Sequence, residues 1–290
     1  MFIATGATGQ LGRLVVAKLL ELVPAAQIGV SVRNAGAAAD LTARGIRVRE
    51  ADFDDADALH HAFEGARRIL LVSSNAAAVG GDSLAQHRNA IEAAKAVGVE
   101  RLLYTSQMSS SPDSHFPPGR DHAATEAMLA ESGLNWTALR HGFYAGSALM
   151  MNRAGFEAGM LVGPEDGKVV WTAHEDLAEA DTRFLAGLHQ IDGPTPPLTG
   201  AEALDLSDLA RIGTEVLGRD IGRRIVSEVE MAGAARQRGL PEPTIEITLG
   251  YFRAAKAGEF AQPDPTLQQM LGRKPQGMRD YMAANLVAAG

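Results

Sequence analysis

The most constraining feature of this 290-residue chain is a glycine-rich segment near its start. Gly6, Gly9 and Gly12 follow the apolar run Met1–Thr5 and open the amphipathic stretch Gln10–Leu22. Glycines at this spacing let the chain turn tightly off a strand and leave room for a pyrophosphate, toward which the next helix directs its N–H groups and its dipole. A simple turn is the alternative, but the strand–turn–helix context favours a dinucleotide site. We expect this site to involve Gly6, Thr8, Gly9, Gln10, Leu11 and Gly12.

Apolar runs alternate with helix-patterned segments through the first half of the chain. The predicted strands are Met1–Thr5, Ile28–Val32, Arg47–Glu50, Ile69–Val72, Leu102–Thr105 and Trp136–Leu139. The predicted helices between them are Gln10–Leu22, Ala37–Arg44, Ala56–Phe63, Ser83–Val97 and His122–Glu131. This alternation is typical of the α/β class, in which helices cover both faces of a doubly wound parallel sheet, the Rossmann arrangement.

The pattern changes after about residue 145, where glycine and proline become frequent. The clearest helix there, Asp176–Gly187, is expected to pack back on the sheet. Further helices are predicted at Ser207–Leu217, Ile245–Ala257 and Gln276–Ala288. We interpret this part as a smaller, discontinuous α+β domain that faces the strand ends and binds substrate. The predicted nucleotide domain comprises residues 1–145 with a returning segment at about 168–188, and the predicted substrate domain comprises 146–167 and 189–290.

Composition and charge argue against several classes of function. The 27 basic and 35 acidic residues leave a net charge of −8, which disfavours nucleic acid as a partner because phosphate binding needs a basic surface. The chain has no cysteine, which excludes disulfides and thiol chemistry, and the adjacent His60 and His61 cannot face one metal ion. A predicted strand opens the chain where a signal peptide would stand, and no apolar run reaches membrane-spanning length. We therefore expect a cytoplasmic enzyme without a metal.

Residues after the second and third predicted strands indicate which dinucleotide binds. Arg33 stands where an NAD-preferring site usually places a carboxylate, and its planar guanidinium suits the 2′-phosphate of NADP(H). We predict NADP(H), with NAD(H) as a second choice; a solvated arginine is the alternative. Asp52 and Phe53 are expected to hold the adenine, although Asp52 fits equally well as the start of a turn. Ser73 and Ser74, after the fourth strand, are expected to let the dinucleotide cross the edge of the sheet.

Several segments occur in the order found in a known protein family: MFIATGATGQLG, VSVRN, VREADFDD, QHRNAIEAAKAVGV, LLYTS, HAATEAML, TALRHGFY and, near the C-terminus, GLPEPTIEITLGYFRAAKAGEF. In these segments the chain resembles the NmrA-like atypical short-chain dehydrogenases/reductases, in particular the type 2 NAD(P)H:quinone oxidoreductases and the triphenylmethane reductases. The resemblance covers nearly the whole chain. It implies a Rossmann domain, a small C-terminal domain that closes over the nicotinamide, and either a monomer or a homodimer. It also implies NADPH binding through Gly6, Gly9, Gly12, Arg33 and the strand ends near Asp52, Ser73 and Thr105.

The chain lacks the catalytic pair that most short-chain dehydrogenases use. Their tyrosine, which protonates a carbonyl oxygen, and their lysine one turn later are replaced here by His122 and Glu126. Glu126 is expected to favour a protonated His122, for which a proton donor, a hydrogen-bonding wall and an ordinary helix start all stay open. Reduction of a simple ketone needs a good acid, whereas hydride addition to a quinone gives a weakly basic phenolate and a carbocation dye needs no proton. The missing pair therefore favours acceptors that tolerate direct hydride transfer.

The other candidate catalytic residues follow the fifth and sixth predicted strands. Thr105 or Ser106 is expected to bond the nicotinamide carboxamide or the substrate oxygen, with capping of the strand end as an equal alternative. Phe143 and Tyr144 form a candidate aromatic wall for a flat substrate, and Tyr144 or His141 is a candidate donor to a quinone oxygen. A packed tyrosine and a satisfied histidine are the structural alternatives. The predicted catalytic set is Tyr144, His122, Ser106 and His141.

These observations lead to three candidate functions. The leading one is an NADPH-dependent reductase of quinones or similar flat, electron-poor aromatics. If the quinone belongs to a polyketide pathway, the hydroquinone would then react with oxygen and give net hydroxylation. The competing class is a redox sensor that binds NADP(H) and regulates a partner without turnover. An ordinary ketone reductase is the third, and it needs a proton donor, for which Tyr144 and His122 are the candidates.

Overall fold

The computed structural model describes residues 1–286. Within this range the chain forms twelve strands and twelve α-helices. The strands are β1 (Phe2–Thr5), β2 (Ile28–Val32), β3 (Arg47–Glu50), β4 (Arg68–Leu71), β5 (Arg101–Gln107), β6 (Trp136–His141), β7 (Phe143–Tyr144), β8 (Met160–Gly163), β9 (Val169–Thr172), β10 (Gly193–Pro194), β11 (Ala203–Leu204) and β12 (Gly222–Ile225). The helices are α1 (Gln10–Leu22), α2 (Ala39–Ala43), α3 (Ala56–Phe63), α4 (Ser83–Ala96), α5 (Pro117–Glu131), α6 (Ala145–Ala158), α7 (His174–Leu185), α8 (Leu206–Leu217), α9 (Glu228–Gln237), α10 (Glu242–Lys256), α11 (Thr266–Leu271) and α12 (Met278–Leu286).

Seven of the strands form one parallel sheet in the order β10-β6-β5-β4-β1-β2-β3. The first strand pairs with β2 on one side and with β4 on the other, so that Phe2 lies beside both Ile28 and Arg68. The strand order therefore reverses between β1 and β4, which makes the sheet doubly wound. Strands β1 and β2 are buried along their whole length, which is typical of parallel strands covered on both faces. The predicted α/β Rossmann class is confirmed.

Helices cover both faces of this sheet. On one face α1 packs against α7, which places Val15 and Leu19 in a core shared with Leu177 and Phe184. On the other face, α3, α4 and α5 pack on the sheet to form a second core. The returning helix predicted at Asp176–Gly187 is α7, displaced by two residues toward the N-terminus. Its expected packing on the Rossmann layer is confirmed.

The second half of the chain adds two small sheets and an aromatic core. Strands β11, β9 and β7 form one sheet in that order, and β8 pairs with β12 in the other. The core between them and the nearby helices includes Trp171, Tyr251, Phe252 and Phe260. The division into a nucleotide domain and a substrate domain stays a prediction. Two late elements belong to the Rossmann layer: β10 extends the main sheet, and α11 places Leu267 in the core beside α1 and α7.

Two predicted helices begin later than the observed ones, and in both cases proline occupies the first turn of the observed helix. The helix predicted to begin at His122 begins five residues earlier, at Pro117, where two prolines occupy the first turn. Similarly, the helix predicted to begin at Ile245 begins at Glu242, with proline again in its first turn. Proline is compatible with this position because the first N–H groups of a helix have no partner within it.

Other predicted elements were incomplete. The segment predicted as the helix Ala37–Arg44 is a 3-10 turn over Ala35–Ala38 followed by the short α2. The last predicted helix, Gln276–Ala288, begins at Met278, and its residues 287–288 lie outside the described residues. Helices α6, α9 and α11 and strands β7–β12 were not predicted, because frequent glycines and short apolar runs hid their periodicity. Within residues 1–286, each helix is too short or too polar to span a bilayer.

Candidate active site

A cavity of about 360 Å³ lies at the carboxyl ends of the parallel strands. Its walls come from the loop after β4, the end of β5, the connection from β6 to β7 and the first half of α5, and Ile247 of α10 closes one side. The end of the glycine loop reaches it through Leu11. Of the predicted site residues, the cavity brings together Leu11, Ser73, Ser74, Ser106, His122, Phe143 and Tyr144.

The glycine loop is shaped by close backbone contacts that exclude side chains. Gly6 adopts φ +62°, a conformation that favours glycine, and its N–H donates to Ser31 O at 3.2 Å. At Gly12 a Cβ would stand 2.3 Å from Gly6 O, so only glycine lets α1 approach the loop this closely. Gly9 donates to Gly6 O at 2.9 Å and leads directly into α1. The loop is therefore a bare main-chain cradle, which fits a pyrophosphate.

The N-terminus of α1 is free to meet an anion. No side chain within residues 1–286 caps this helix, and its first turn carries no acidic residue. The dipole and the unpaired N–H groups of a helix N-terminus favour negative charge. Arg13 stabilises the turn from below, because its Nε donates to Thr8 O at 3.0 Å. The cradle and the helix end together meet the structural requirements of a dinucleotide phosphate site.

The loops after β2 and β3 present the residues predicted to hold the adenosine. Arg33 is exposed, and within residues 1–286 its side chain makes no hydrogen bond or ion pair, which leaves its guanidinium available for a phosphate. Glu50, which could have competed for Arg33, accepts from Ala35 N at 2.9 Å. Asp52 Oδ1 accepts a hydrogen bond from Asp54 N at 3.0 Å, so at least one oxygen of this side chain stabilises a turn, as the alternative interpretation expects. Phe53 is half-buried against the second core. The roles of Arg33, Asp52 and Phe53 in binding stay predictions.

Threonines inside the sheet hold the chain where β4 ends. Thr5 Oγ1 accepts from Val72 N at 2.8 Å, and Thr105 Oγ1 accepts from Ser73 N at 2.8 Å. Thr105 is buried, with 1% of its surface exposed, so its hydroxyl positions the loop after β4. This is the strand-end alternative of the sequence analysis. The predicted contact of Thr105 with a cofactor stays a prediction, and Ser73 lies nearer to the cavity.

His87 of α4 fixes the next residue of this loop. Its Nε2 accepts from Ser74 N at 2.8 Å, and its Nδ1 is 2.8 Å from Thr125 Oγ1. Because Ser74 N can only donate, the imidazole is neutral, and burial lowers the pKa of His87 to about 4. The hydroxyl of Ser74 donates to Gln86. The backbone at Ser74 is therefore held by a buried, uncharged histidine.

His122 lies at the tyrosine position of the family but is not a charged acid. Its Nδ1 is 2.7 Å from the hydroxyl of Tyr104. Burial lowers the pKa of His122 to about 3, and the imidazoles of His87 and His141 add to this shift. The expectation that Glu126 favours a protonated His122 is wrong, because Glu126 is engaged elsewhere. Burial therefore favours an uncharged His122 in the wall of the cavity at neutral pH, and its role in the reaction stays a prediction.

Glu126, at the lysine position, belongs to a partly buried ion pair. Arg140 donates to both of its oxygens, from Nε at 3.0 Å and from Nη2 at 2.6 Å. The hydroxyl of Ser106 donates to the same carboxylate at 2.6 Å. Ser106 thus lines the cavity with its hydroxyl already committed to Glu126. Its predicted catalytic role stays a prediction, and the observed bond favours a structural one.

Tyr144 and His141 lie together at the end of β6. The Tyr144 hydroxyl is 3.2 Å from His141 Nδ1, and His141 Nε2 is 2.8 Å from Asp181 Oδ1 on α7. His174 lies against the Tyr144 ring with 4.4 Å between ring centroids. Tyr144 lines the cavity, whereas His141 is fully buried behind it. Of the two residues, only Tyr144 is placed to touch a substrate.

Phe143 forms the other half of the aromatic wall. Its ring lies 5.6 Å from Phe116, 5.1 Å from Tyr251 and 5.0 Å from Phe260, measured between centroids. These edge and tilted contacts fix the ring, since aromatic pairs prefer such arrangements. The cavity therefore has a rigid apolar wall on the side of the aromatic core.

The sequence analysis missed three residues of this region. Gln107 lines the cavity; its Oε1 accepts from Ser109 N and Oγ, both at 2.6 Å, and its buried Nε2 has no partner within residues 1–286. Asp181 and His174 were missed because α7 joins β6 only through the tertiary fold. A carboxylate on the apolar face of a helix pattern, at Asp181, was the one signal available from sequence.

The cavity at the switch point of a doubly wound sheet, next to a bare glycine cradle, defines the class of protein: a dinucleotide-binding Rossmann protein. The chain matches the family described as NAD(P)H-binding over residues 6–153. It is 36% identical over 273 residues to quinone oxidoreductase 2 of Escherichia coli strain K12, a match that covers 94% of each chain. It is 30% identical over 293 residues to an NmrA-like family domain-containing oxidoreductase of Aspergillus flavus, covering 99% of this chain and 95% of that one.

The chain is also similar in structure to solved oxidoreductases of the same kind. The Escherichia coli NADPH-dependent quinone oxidoreductase in complex with NADPH has a TM-score of 0.91 and 35% identity, covering 99% of this chain and 100% of that one. The Citrobacter sp. triphenylmethane reductase in complex with NADP(H) has a TM-score of 0.86 and 30% identity, covering 97% and 99%. The chain therefore belongs to the NAD(P)H-binding family. The NmrA-like resemblance, the NAD(P)H cofactor and the oxidoreductase class are confirmed at the level of this family.

Proposed function

We propose that the protein is an NADPH-dependent reductase that transfers hydride to quinones or similar flat, electron-poor aromatics. The observation that carries this proposal is the continuity between the glycine cradle and an aromatic-walled cavity, which Leu11 joins to Phe143 and Tyr144. A cavity of about 360 Å³ is within the usual range for small-molecule sites. The proteins similar to this chain include one named quinone oxidoreductase 2 and one named triphenylmethane reductase, which supports an acceptor of this kind.

The cofactor would be held by the residues at the strand ends. The α1 N-terminus and the glycine cradle would hold the pyrophosphate, and Arg33 would hold the 2′-phosphate of NADPH. Gln107 Nε2, a buried donor without a partner within residues 1–286, suits an oxygen of a bound ligand, because such a group is costly to leave unsatisfied. Bound NADPH supplies a hydride to the acceptor. The protein residues orient the two rings and keep water out, which supplies most of the rate.

The aromatic wall and the polar edge of the cavity have separate roles in this mechanism. Phe143 and Tyr144 form the wall against which a flat acceptor stacks. Burial raises the pKa of the Tyr144 hydroxyl, so this group stays protonated and can donate to an acceptor oxygen. His122 is neutral and contributes a hydrogen bond without carrying charge. The site therefore stabilises a phenolate by hydrogen bonding and does not need a tyrosine–lysine pair.

The direct test is acceptor-dependent oxidation of NADPH by the purified protein. We expect benzoquinones, naphthoquinones and anthraquinones to accelerate the loss of NADPH absorbance, and a simple aliphatic ketone to leave it unchanged. NADH should support the reaction less well than NADPH. If none of the quinones raises the rate above that without an acceptor, the proposed activity is wrong.

Two finer predictions are tested with the same protein. Net hydroxylation of a polyketide quinone requires oxygen uptake, so NADPH and an anthraquinone should consume oxygen; an oxygen electrode decides this. The redox-sensor alternative predicts saturable binding of NADP(H) with no acceptor-dependent oxidation. A monomer or homodimer in the cytoplasm stays a prediction, and sedimentation of the purified protein distinguishes the two oligomeric states.

A further inference from the structure

A chain of three side chains leads from the cavity into the protein interior. Tyr144 lines the cavity, and its hydroxyl is 3.2 Å from Nδ1 of His141. The other nitrogen of this ring, Nε2, is 2.8 Å from Oδ1 of Asp181. His141 and Asp181 are both fully buried. The fold brings them together because β6 ends beside the middle of α7.

The chemistry of the three groups fixes the direction of their hydrogen bonds. A carboxylate only accepts, so His141 Nε2 carries a proton that it donates to Asp181. Within residues 1–286, Asp181 Oδ2 has no hydrogen-bond partner, so His141 is the main group that stabilises this buried charge. The Nδ1 atom is left to exchange a hydrogen bond with Tyr144. A proton held at Nδ1 would be compensated by the Asp181 carboxylate, which lies 2.8 Å from the Nε2 atom of the same ring.

The other titratable groups near this chain are uncharged at neutral pH. His174 packs on the Tyr144 ring, and burial lowers its pKa to about 4. Burial likewise lowers the pKa of His122 to about 3, and burial together with the Asp181 charge raises that of Tyr144. His141 is therefore the group around Tyr144 that can carry a second proton with a carboxylate to compensate it.

We propose that Tyr144 protonates the acceptor oxygen, that His141 returns a proton to Tyr144, and that Asp181 is a positioning residue that orients His141 through its hydrogen bond to Nε2. The inference rests on the proposed function and narrows its substrate class. It assigns the site to acceptors such as quinones, whose reduced oxygen takes up a proton, and away from cations whose reduced form needs none.

The proposed step balances in atoms and charge. A quinone that has gained a hydride from NADPH is a hydroquinone anion. A new O–H bond forms on its oxygen while the O–H bond of Tyr144 breaks, and a new O–H bond forms on Tyr144 while the Nδ1–H bond of His141 breaks. The products are the neutral hydroquinone, the original tyrosine and a neutral His141 that still donates to Asp181. A proton from water restores the imidazolium before the next turnover.

The first test needs no turnover. In the dinucleotide-free protein with isotope-labelled histidine, nitrogen NMR should show that His141 Nε2 carries a proton and donates it in a hydrogen bond. The signal of this nitrogen should shift in Asp181→Asn, because the charged acceptor is lost. A His141 whose Nε2 is unprotonated, or whose Nε2 signal is the same in Asp181→Asn, overturns the positioning role of Asp181.

The second test compares two acceptors in single-turnover experiments with saturating NADPH. Tyr144→Phe and Asp181→Asn should lower the rate with a quinone by about 10²-fold, the size of a typical general-acid contribution. The rate with a cationic triarylmethane dye should change little, because its reduction needs no proton. The matched control is Asp176→Asn, an equally buried aspartate on α7 that pairs with Arg273 at 2.6 Å. It should leave the ratio of the two rates unchanged.

Proton transfer itself is tested in heavy water. The quinone rate of the wild-type protein should fall in heavy water, and Tyr144→Phe should lose this solvent isotope effect. Equal losses with both acceptors, or an unchanged quinone rate in Tyr144→Phe, refute the relay. A wild-type protein that reduces no quinone refutes the proposed function, and the NMR result then decides the His141–Asp181 arrangement separately.

Discussion

Replacing Gly12 by alanine tests the glycine cradle on which the cofactor assignment depends. Gly12 lies in the first turn of α1, and a Cβ there would stand 2.3 Å from Gly6 O, 2.8 Å from the Gly6 carbonyl carbon and 2.9 Å from Ala7 Cα. All three are backbone atoms, so no change of rotamer relieves the overlap. The loop and the helix must therefore move apart.

The expected cost follows from these distances. Ordinary contact begins at 3.4 Å, so the loop must shift by about 1 Å. Overpacking of this kind costs about 1–3 kcal/mol, and the better helix propensity of alanine offsets about 1 kcal/mol. We expect the free energy of unfolding to fall by up to about 2 kcal/mol. The same shift removes at least one N–H bond to a charged phosphate, worth about 1.5–3 kcal/mol, so the Kd for NADPH should rise at least about tenfold.

Urea denaturation and calorimetric titration with NADPH measure the two effects, and two other glycines serve as controls. Gly233 lies inside α9 with open space around it, so Gly233→Ala should raise the free energy of unfolding by about 0.5–1 kcal/mol and leave the Kd unchanged. At Gly9 the nearest contact of a Cβ is 3.3 Å, so Gly9→Ala should weaken NADPH binding with little loss of stability. The reasoning fails if Gly12→Ala binds NADPH as tightly as the wild type and is as stable as Gly233→Ala.

Three further substitutions test the surroundings of the cavity. Arg33→Asp should weaken NADPH binding by about 2–4 kcal/mol and NADH binding much less, measured by calorimetry; equal losses contradict the assigned role. The pKa of His87 falls to about 4 on folding, so as pH is lowered this histidine takes up a proton at higher pH in the unfolded chain than in the folded one. The contribution of His87 to the free energy of unfolding should thus be constant above pH ~6.5 and fall as pH drops toward about 4, so the wild type should lose stability more steeply over this range than His87→Gln. Urea denaturation at several pH values measures this, and the same pH dependence in both proteins would argue against it. Glu126→Lys should cost about 3 kcal/mol of stability in urea, because it leaves Arg140 facing a second cation; a variant as stable as the wild type excludes the structural role of that pair.

The sequence predicted the Rossmann layer well because its elements are set by local pattern. Helices α1 and α3 and strands β2 and β3 have the predicted bounds. Their strands alternate with helices whose apolar faces repeat at helical spacing, and glycines close most of them. Where a proline stood in the first helical turn, at Pro117, the pattern was ambiguous, because proline both starts and stops helices. Local periodicity therefore fixed which elements exist but not where all of them begin.

Contacts between distant segments were beyond the reach of sequence patterns. The two-residue strand β10 joins the sheet because Arg101 reaches Thr137 Oγ1 at 3.0 Å and Ile191 O at 3.3 Å, which holds the incoming segment against β6. Asp181 likewise meets His141 only after α7 returns across 40 residues. Neither contact leaves a periodic trace along the chain. The residues of the candidate site at the strand ends were therefore predicted, whereas the buried residues behind them, such as Asp181, were not.

The residues that replace the tyrosine–lysine pair explain how the cavity wall and the buried residues behind it work together. In a ketone reductase the lysine lowers the pKa of the catalytic acid. Here Glu126 accepts hydrogen bonds from the Ser106 hydroxyl and from Nε and Nη2 of Arg140, which connects α5 to β5 and β6. An acid at position 122 would have no cation to assist it, and burial keeps His122 neutral. The Tyr144 hydroxyl, in the cavity wall, is backed by a histidine that pairs with a carboxylate, because His141 lies between Tyr144 and Asp181. A phenolate is a far weaker base than an alkoxide. Proton donation by Tyr144, supported by His141 and Asp181, is therefore sufficient for a quinone, whereas a ketone would need a stronger acid.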